Sequence, residues 1–319
     1  MQNLTDSEPL VATVTPNAGI DKTYTVEGFG LDRVHRPSDC ITVPGGKGIN
    51  VARVLKTLGR SATATGFLGG ATGDAVARGL DAEGIAHDFV RIEGESRLCI
   101  AVMDPTTGTQ TEINENGPEV TAHDVERALD KMRHLAQGKE YVVLCGSCPP
   151  GVPTSFYGDI IRIAQKAGAR AVLDTSGEHL REAIKLSPYM VKPNVTELSQ
   201  LAGRELVTLE EITRAAKGLR QYGVEISAVT IGRSGALLTD GKQVWKATPP
   251  TIPFASAVGS GDAFVAGFLD SLLGNQCLEE ALAWATAAGA ANATTYGAGF
   301  CSKDSIIEIR EGVALAAVG

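Results

Sequence analysis

Gly259-Ser260-Gly261-Asp262 stands directly before an apolar run, Ala263 to Leu269. Two glycines around a serine allow a tight turn that aims backbone N–H groups at one point. The helix expected next adds the positive end of its dipole there. Such a turn binds an anion. Asp262 at its edge is a costly neighbour for an anion unless it acts as a base, taking a proton from a hydroxyl while negative charge builds on a transferring group. Taken alone, Asp262 reads equally well as a helix cap.

A second glycine cluster, Pro44-Gly45-Gly46-Lys47-Gly48-Ile49-Asn50, also opens a helix. Gly45 and Gly46 clear side chains from a ligand's path to the backbone, Lys47 offers a cation and Asn50 an amide. It is not a Walker loop, because Gly48 follows the Gly-Lys pair where Ser or Thr is needed, and no GxGxxG follows a strand. Asn17, Gly19 and Asp21 come just after the first predicted strand. Asp21 can bind two neighbouring sugar hydroxyls there, or it caps an Asx turn. In Lys192-Pro-Asn194-Val-Thr-Glu197, Asn194 and Glu197 share one helical face and suit a water-held Mg²⁺, although Asn194 also suits a helix cap. Ser147 closes one strand, and Thr230, Gly232 and Gly235 close another that is open enough for a nucleotide. Arg36 and Arg97 offer planar guanidinium groups to a phosphate. Five strand ends over about 250 residues, each joining glycine to such a polar group, point to phosphoryl transfer.

These groups need a scaffold that gathers strand ends. Strands are expected at 10–15, 62–68, 141–145, 170–174, 190–192 and 226–231. Helices are expected at 49–58, 73–83, 125–135, 156–167, 180–186 and 209–221. This alternation predicts an α/β fold with a mainly parallel sheet between helical layers. Residues 22–43 and 97–113 alternate apolar and polar without a helix, which predicts a small antiparallel β-lid that closes over a ligand or pairs with a second subunit. No linker or repeat interrupts the chain, so one domain over 1–319 is expected.

The 319 residues are 43% hydrophobic with a net charge of −8, which argues against nucleic-acid and anionic-membrane partners. The first ten residues have no basic region and no apolar core, so no signal peptide is expected. Six cysteines in a chain this long form no disulfide framework and fit a reducing cytoplasm, where the sequons at Asn3, Asn194 and Asn292 carry no weight. Cys145-Gly-Ser-Cys148 has redox or half-zinc spacing. Two prolines follow it, no second CxxC accompanies it, and the histidines lack ligand spacing.

The segments GGKGINVAR (45–53), SCPPGV (147–152), KPNVTEL (192–198), TIGRSGALL (230–238) and VGSGDAFVAGF (258–268) resemble the phosphofructokinase B family of carbohydrate kinases. The resemblance runs from about residue 10 to 300 and implies a ribokinase-like three-layer sandwich. TPNAGID (15–21) and TEINENGP (111–118) look like the branch that phosphorylates sugar phosphates, 1-phosphofructokinase and tagatose-6-phosphate kinase. The chain departs from the family pattern at Pro16-Asn17-Ala18 and at Cys148.

The resemblance implies Asp262 as base and Gly259, Ser260 and Gly261 as anion hole. Asp21, Gly45, Gly46 and Asn50 would hold the sugar, and Lys47, Arg36, Arg97 and Ser147 its phosphate. Lys192, Asn194 and Glu197 would face ATP phosphates and Mg²⁺; Thr230, Gly232 and Gly235 would line the nucleotide, with Asn292 nearby. The implied reaction moves the γ-phosphoryl group of ATP to a ketohexose phosphate, fructose 1-phosphate first, with tagatose 6-phosphate and fructose 6-phosphate as alternatives. A kinase of unphosphorylated sugars or nucleosides is disfavoured by the basic residues. A non-catalytic sugar-phosphate sensor is disfavoured by Asp262. K⁺ dependence and a homodimer through the lid are left open.

Overall fold

The computed structural model describes residues 9–318. The leader reading and the Asn3 sequon fall on 1–8, outside the described residues. In chain order the elements are β1 (Val11–Thr15), β2 (Gly19–Thr25), β3 (Asp39–Gly45), α1 (Lys47–Thr57), β4 (Ala62–Gly69), α2 (Gly70–Glu83), β5 (Ala86–His87), β6 (Val90–Ile92), β7 (Arg97–Asp104), β8 (Thr109–Asn114) and α3 (Ala122–Leu135). There follow β9 (Tyr141–Cys145), α4 (Phe156–Lys166), β10 (Arg170–Asp174), α5 (Gly177–Ala183), β11 (Met190–Val191), α6 (Val195–Ala202), α7 (Leu209–Gly218), β12 (Ile226–Thr230), β13 (Ala236–Thr239) and β14 (Val244–Thr248). The chain continues through α8 (Ser260–Leu273), α9 (Leu278–Ala293), α10 (Lys303–Glu311) and β15 (Ala314–Ala317).

Eleven strands form the main sheet, ordered β15-β14-β13-β12-β11-β10-β9-β1-β4-β5, with β6 also on β4. From β12 to β5 the pairs are parallel. Side chains alternate faces along each strand. On β9, Tyr141, Val143 and Cys145 pack into a core with α1, α2, α8, α9 and α10, while Val142 and Leu144 pack into a second core with α3, α4, α5 and α7. This is the expected three-layer arrangement. Because β1 lies between β4 and β9, the chain winds away in both directions from it. The carboxyl ends of these strands meet in the crevice where such sheets bind ligands.

The sheet is mainly parallel, as expected, and it ends in antiparallel strands β13, β14 and β15, which no βα alternation signals. The links between β12, β13 and β14 are too short for a crossover helix, so these strands must reverse. One expectation is corrected, in the small four-stranded sheet, ordered β3-β2-β7-β8. Its two hairpins are antiparallel, but its central pair β2–β7 is parallel. The chain passes through α1, β4 and α2 between them and returns in the same direction.

One side-chain bond joins the tip of the small sheet to the loop before α8: Ser256 Oγ donates to Gln110 Oε1 at 3.0 Å, and also accepts the Val258 N–H at 3.2 Å. Among the described residues no helix is long and apolar enough to cross a membrane.

Candidate active site

α8 is apolar from Ala263 to Leu269 and buried throughout that stretch, so its first turn carries Asp262 inside at 4% exposure. A carboxylate there loses water, and burial raises its pKa to about 7 against the opposing pull of Lys47. Asn50 Nδ2 donates to its Oδ2 at 2.8 Å. Gly259, the residue before α8, has a left-handed backbone (φ 79°), and a Cβ there would lie 2.6 Å from Ala298. Glycine is required on both counts. The Ser260 N–H bonds Ala257 O and the Ala263 N–H bonds Gly259 O. Among the described residues nothing takes the N–H of Gly261 or Asp262. Two donors at a helix N-terminus therefore point free, and the space that a Cβ on Gly261 would fill lies 3.3 Å from Lys192 Nζ. That cradle fits a phosphoryl group.

Asp174 ends β10 at 0% exposure. Its Oδ1 lies 3.2 Å from Lys47 Nζ and 3.3 Å from Lys192 Nζ, while its Oδ2 has no partner. Burial pushes this carboxyl up, but Lys192 and Lys47 outweigh it and hold it below its usual range. Lys47 in turn is raised well above its ordinary value, chiefly by Asp174. Its side chain is 40% exposed, so it remains available to a ligand.

Lys47, Lys192, Asn50 and the Gly259–Asp262 turn line the floor of a cleft of about 1060 Å³ between the small sheet and the strand ends, with Asp174 bonded to the two lysines behind it. Asp21 lies inside β2, so it does not cap an Asx turn. It faces the cleft against Gly45, where a Cβ would lie 2.2 Å from its carboxylate, so Gly45 makes room for Asp21 and not directly for a ligand. Burial raises its pKa and the Arg97 guanidinium opposes that. Arg97 lines the cleft and its Nε donates to Asn17 O at 2.9 Å; Asn17 Nδ2 reaches Ser147 Oγ at 3.5 Å. At the other end Thr230, Gly232 and Gly235 line the cleft with Phe254, over whose ring Arg233 sits at 5.0 Å.

Asn194 and Glu197 line the cleft too, but each accepts the other's backbone N–H in a capping box at 2.8 and 2.9 Å. The cap and the cleft position coexist. No group of three or more His, Cys, Asp or Glu suited to a metal occurs among the described residues. The donor set therefore fits a Mg²⁺ that keeps most of its waters and sits on phosphates, not in a protein cage.

Three residues expected at the ligand are not in the cleft lining. Arg36 is exposed on the β2–β3 loop, and Ser147 is exposed just after β9. Asn292 is behind the anion turn: its Nδ2 donates to Val258 O at 2.7 Å and its Oδ1 accepts the Gly299 N–H at 2.7 Å. Asn50 does line the cleft, with its amide bonded to Asp262 and Arg53. Cys145 is buried and its thiol is pushed well up by that burial, the reverse of a reactive thiol.

Asp174 and Arg53 escape a reading of motifs. Both carry a local signal, a charge flanked by apolar residues: Ala171-Val-Leu before Asp174, and Val51-Ala and Val54-Leu around Arg53.

The family model described as pfkB family carbohydrate kinase matches residues 14–305. Tagatose-6-phosphate kinase of Staphylococcus epidermidis is 35% identical over 94% of this chain and 97% of its own length. 1-Phosphofructokinase of Rhodobacter capsulatus is 38% identical over 87% of this chain and 88% of its own. The crystal structure of phosphofructokinase-2 from Escherichia coli in complex with potassium superposes with a TM-score of 0.89 at 30% identity, covering 94% of this chain and 98% of that one.

Proposed function

The chain belongs to the pfkB family of carbohydrate kinases and is a sugar-phosphate kinase, and from that premise we propose that it transfers the γ-phosphoryl group of ATP to the free primary hydroxyl of a ketohexose phosphate. Fructose 1-phosphate, giving fructose 1,6-bisphosphate, is the first choice of acceptor; tagatose 6-phosphate is the second, favoured by the likeness to the staphylococcal enzyme. One observation carries the assignment: a buried carboxyl with a pKa of about 7 beside two unpaired helix N-terminal N–H groups.

In this reading Asp262 accepts the hydroxyl proton, and the Asn50 amide holds the carboxylate towards the acceptor. The N–H groups of Gly261 and Asp262, with Lys192, receive the charge that builds on the moving phosphoryl group. Asp21 binds sugar hydroxyls, and Lys47 and Arg97 bind the phosphate already on the sugar. Thr230, Gly232 and Gly235 border the nucleotide. Mg²⁺, held through water by Asn194 and Glu197, would supply further neutralisation of the ATP phosphates. The small sheet shuts water from the reacting centre.

A reducing cytoplasm suits six free cysteines. A homodimer through the small sheet belongs to the same proposal. The register of its strands puts Tyr24, Val102, Ile100 and Ile113 on one face, the first three half-buried and Ile113 exposed. The deciding experiment offers ATP and Mg²⁺ with fructose 1-phosphate, tagatose 6-phosphate and fructose 6-phosphate in turn, with and without K⁺. Turnover with one of the first two is expected. No turnover with any of the three would defeat the proposal.

A further inference from the structure

Arg53 is a guanidinium at 6% exposure in the middle of a helix whose neighbouring positions are all buried. All five of its N–H groups are engaged. Nε and Nη2 grip the two oxygens of Glu83 at 2.6 and 3.0 Å. Nη2 also donates to Pro44 O at 2.7 Å, and Nη1 donates to Ala298 O at 3.1 Å and to Asn50 Oδ1 at 2.9 Å. Phe300 lies beneath the group, 4.8 Å from ring centroid to Cζ. A guanidinium is the side chain that can fill such a fork, since it has five donors in one plane and never loses its charge.

The targets of that fork are the parts around the reacting centre. Pro44 begins the Gly45-Gly46 turn. Ala298 packs on Gly259, whose missing Cβ would lie 2.6 Å from it. Asn50 is the residue that holds Asp262. An amide can present either end to a carboxylate. With its oxygen claimed by Arg53, Asn50 can present only its NH₂ group to Asp262, which favours the ionised base.

We propose that Arg53 is a positioning residue for phosphoryl transfer: it locks the Asn50 amide in the orientation that donates to Asp262, and it sets the spacing between the two glycine turns through Pro44 and Ala298. The inference rests on Asp262 being the base. The groups facing Asp262 are the amide of Asn50 on α1, Lys47 at the start of the same helix, Asp174 at the end of β10 and Lys192 after β11. Only Asn50 among them is held by Arg53.

The test compares Arg53→Lys in the unaltered chain and in an Asp262→Asn background, using ATP, Mg²⁺ and the ketohexose phosphate that the panel shows to be turned over. Lysine keeps the charge but cannot make the fork. In the unaltered background kcat should fall about 10- to 100-fold, the scale of a misplaced catalytic group. Both KM values should stay within about threefold, since Arg53 touches neither substrate. The acid limb of the kcat profile should move to higher pH, because a freed Asn50 can turn its oxygen to Asp262 and favour the protonated acid. In the Asp262→Asn background the same change should cost less than about twofold, since residues that act as one unit are not additive.

An equal loss in both backgrounds, or an unmoved acid limb, would overturn the role of Arg53 while leaving the base in place. Full activity of Asp262→Asn alone would instead overturn the base. Should Arg53→Lys be recovered unfolded, Glu83→Gln decides, since it loosens the anchor without removing the guanidinium. A fall in kcat that vanishes in the Asp262→Asn background supports the proposal, and no fall refutes it.

Discussion

On the main-sheet side of the cleft Asp262 and Lys192 line it at 4% exposure each, Asp174 lies behind Lys192 at 0%, and each of the three is held by a named polar partner. On the opposite wall every β7 residue from Arg97 to Val102 is half-buried, and β8 is exposed at five of its six positions. The first wall is preorganised, as electrostatic stabilisation of a developing charge requires, because dipoles that must reorient during reaction contribute little. The second is the more exposed, so less packing on its faces holds it in place, as an entrance that opens and closes requires. The two demands are met by separate sheets.

The contrast can be broken hardest at its rigid side. Asp262→Asn should lower kcat by about 10²–10⁴, the range for a lost positioned base, with little change in KM for either substrate; steady-state kinetics measures both. The pH dependence of the same residue follows from its raised pKa. Its folded-state value near 7 exceeds the ordinary carboxylate value of 3.8, so the folded state binds the proton more tightly than the unfolded one. The stability conferred is therefore full below about pH 4 and is lost as pH rises to about 7, by up to about 4 kcal/mol. Urea unfolding of the ligand-free chain should show this loss, and Asp262→Asn should remove it. The log of kcat/KM should rise with pH and level off above about 7.

Asp174→Asn should cost about 3 kcal/mol in urea unfolding, because it leaves Lys192 buried without its counter-ion. On the mobile wall effects should be smaller and differently distributed. Arg97→Ala removes a charge-assisted contact of about 1.5–3 kcal/mol and should raise KM for the sugar phosphate roughly tenfold or more, with KM for ATP nearly unchanged. Equal changes would place Arg97 elsewhere. The smallest effect belongs to the bond between the walls. Ser256→Ala removes about 1 kcal/mol of closure and should raise ATP hydrolysis without acceptor a few-fold while kcat stays near its starting value.

Legibility divides along the same line. β9 and β10 run over the residues expected of them, because a continuous apolar stretch between turn residues has few other readings. The tight turn before α8 was legible from its glycines, and the small sheet from its alternation. The braces were not. Arg53 reaches Ala298 across 245 residues and Asn50 reaches Asp262 across 212. No local pattern encodes a bond of that separation; only the isolation of a charge among apolar neighbours hints at it. Asn194 and Glu197 show the converse, since their spacing serves a helix cap and a cleft position at once, and sequence alone cannot divide the two.

The pairing of Lys47 and Lys192 with Asp174 leaves one uncompensated positive charge at the bottom of the cleft whenever Asp262 is protonated, within a chain whose net charge is −8. Screening confines that attraction to about 8 Å at physiological ionic strength. The exterior's repulsion is screened over the same distance, so an anion feels little until it is at the surface and is gripped only once inside the cleft, where selection between anions is made by contact.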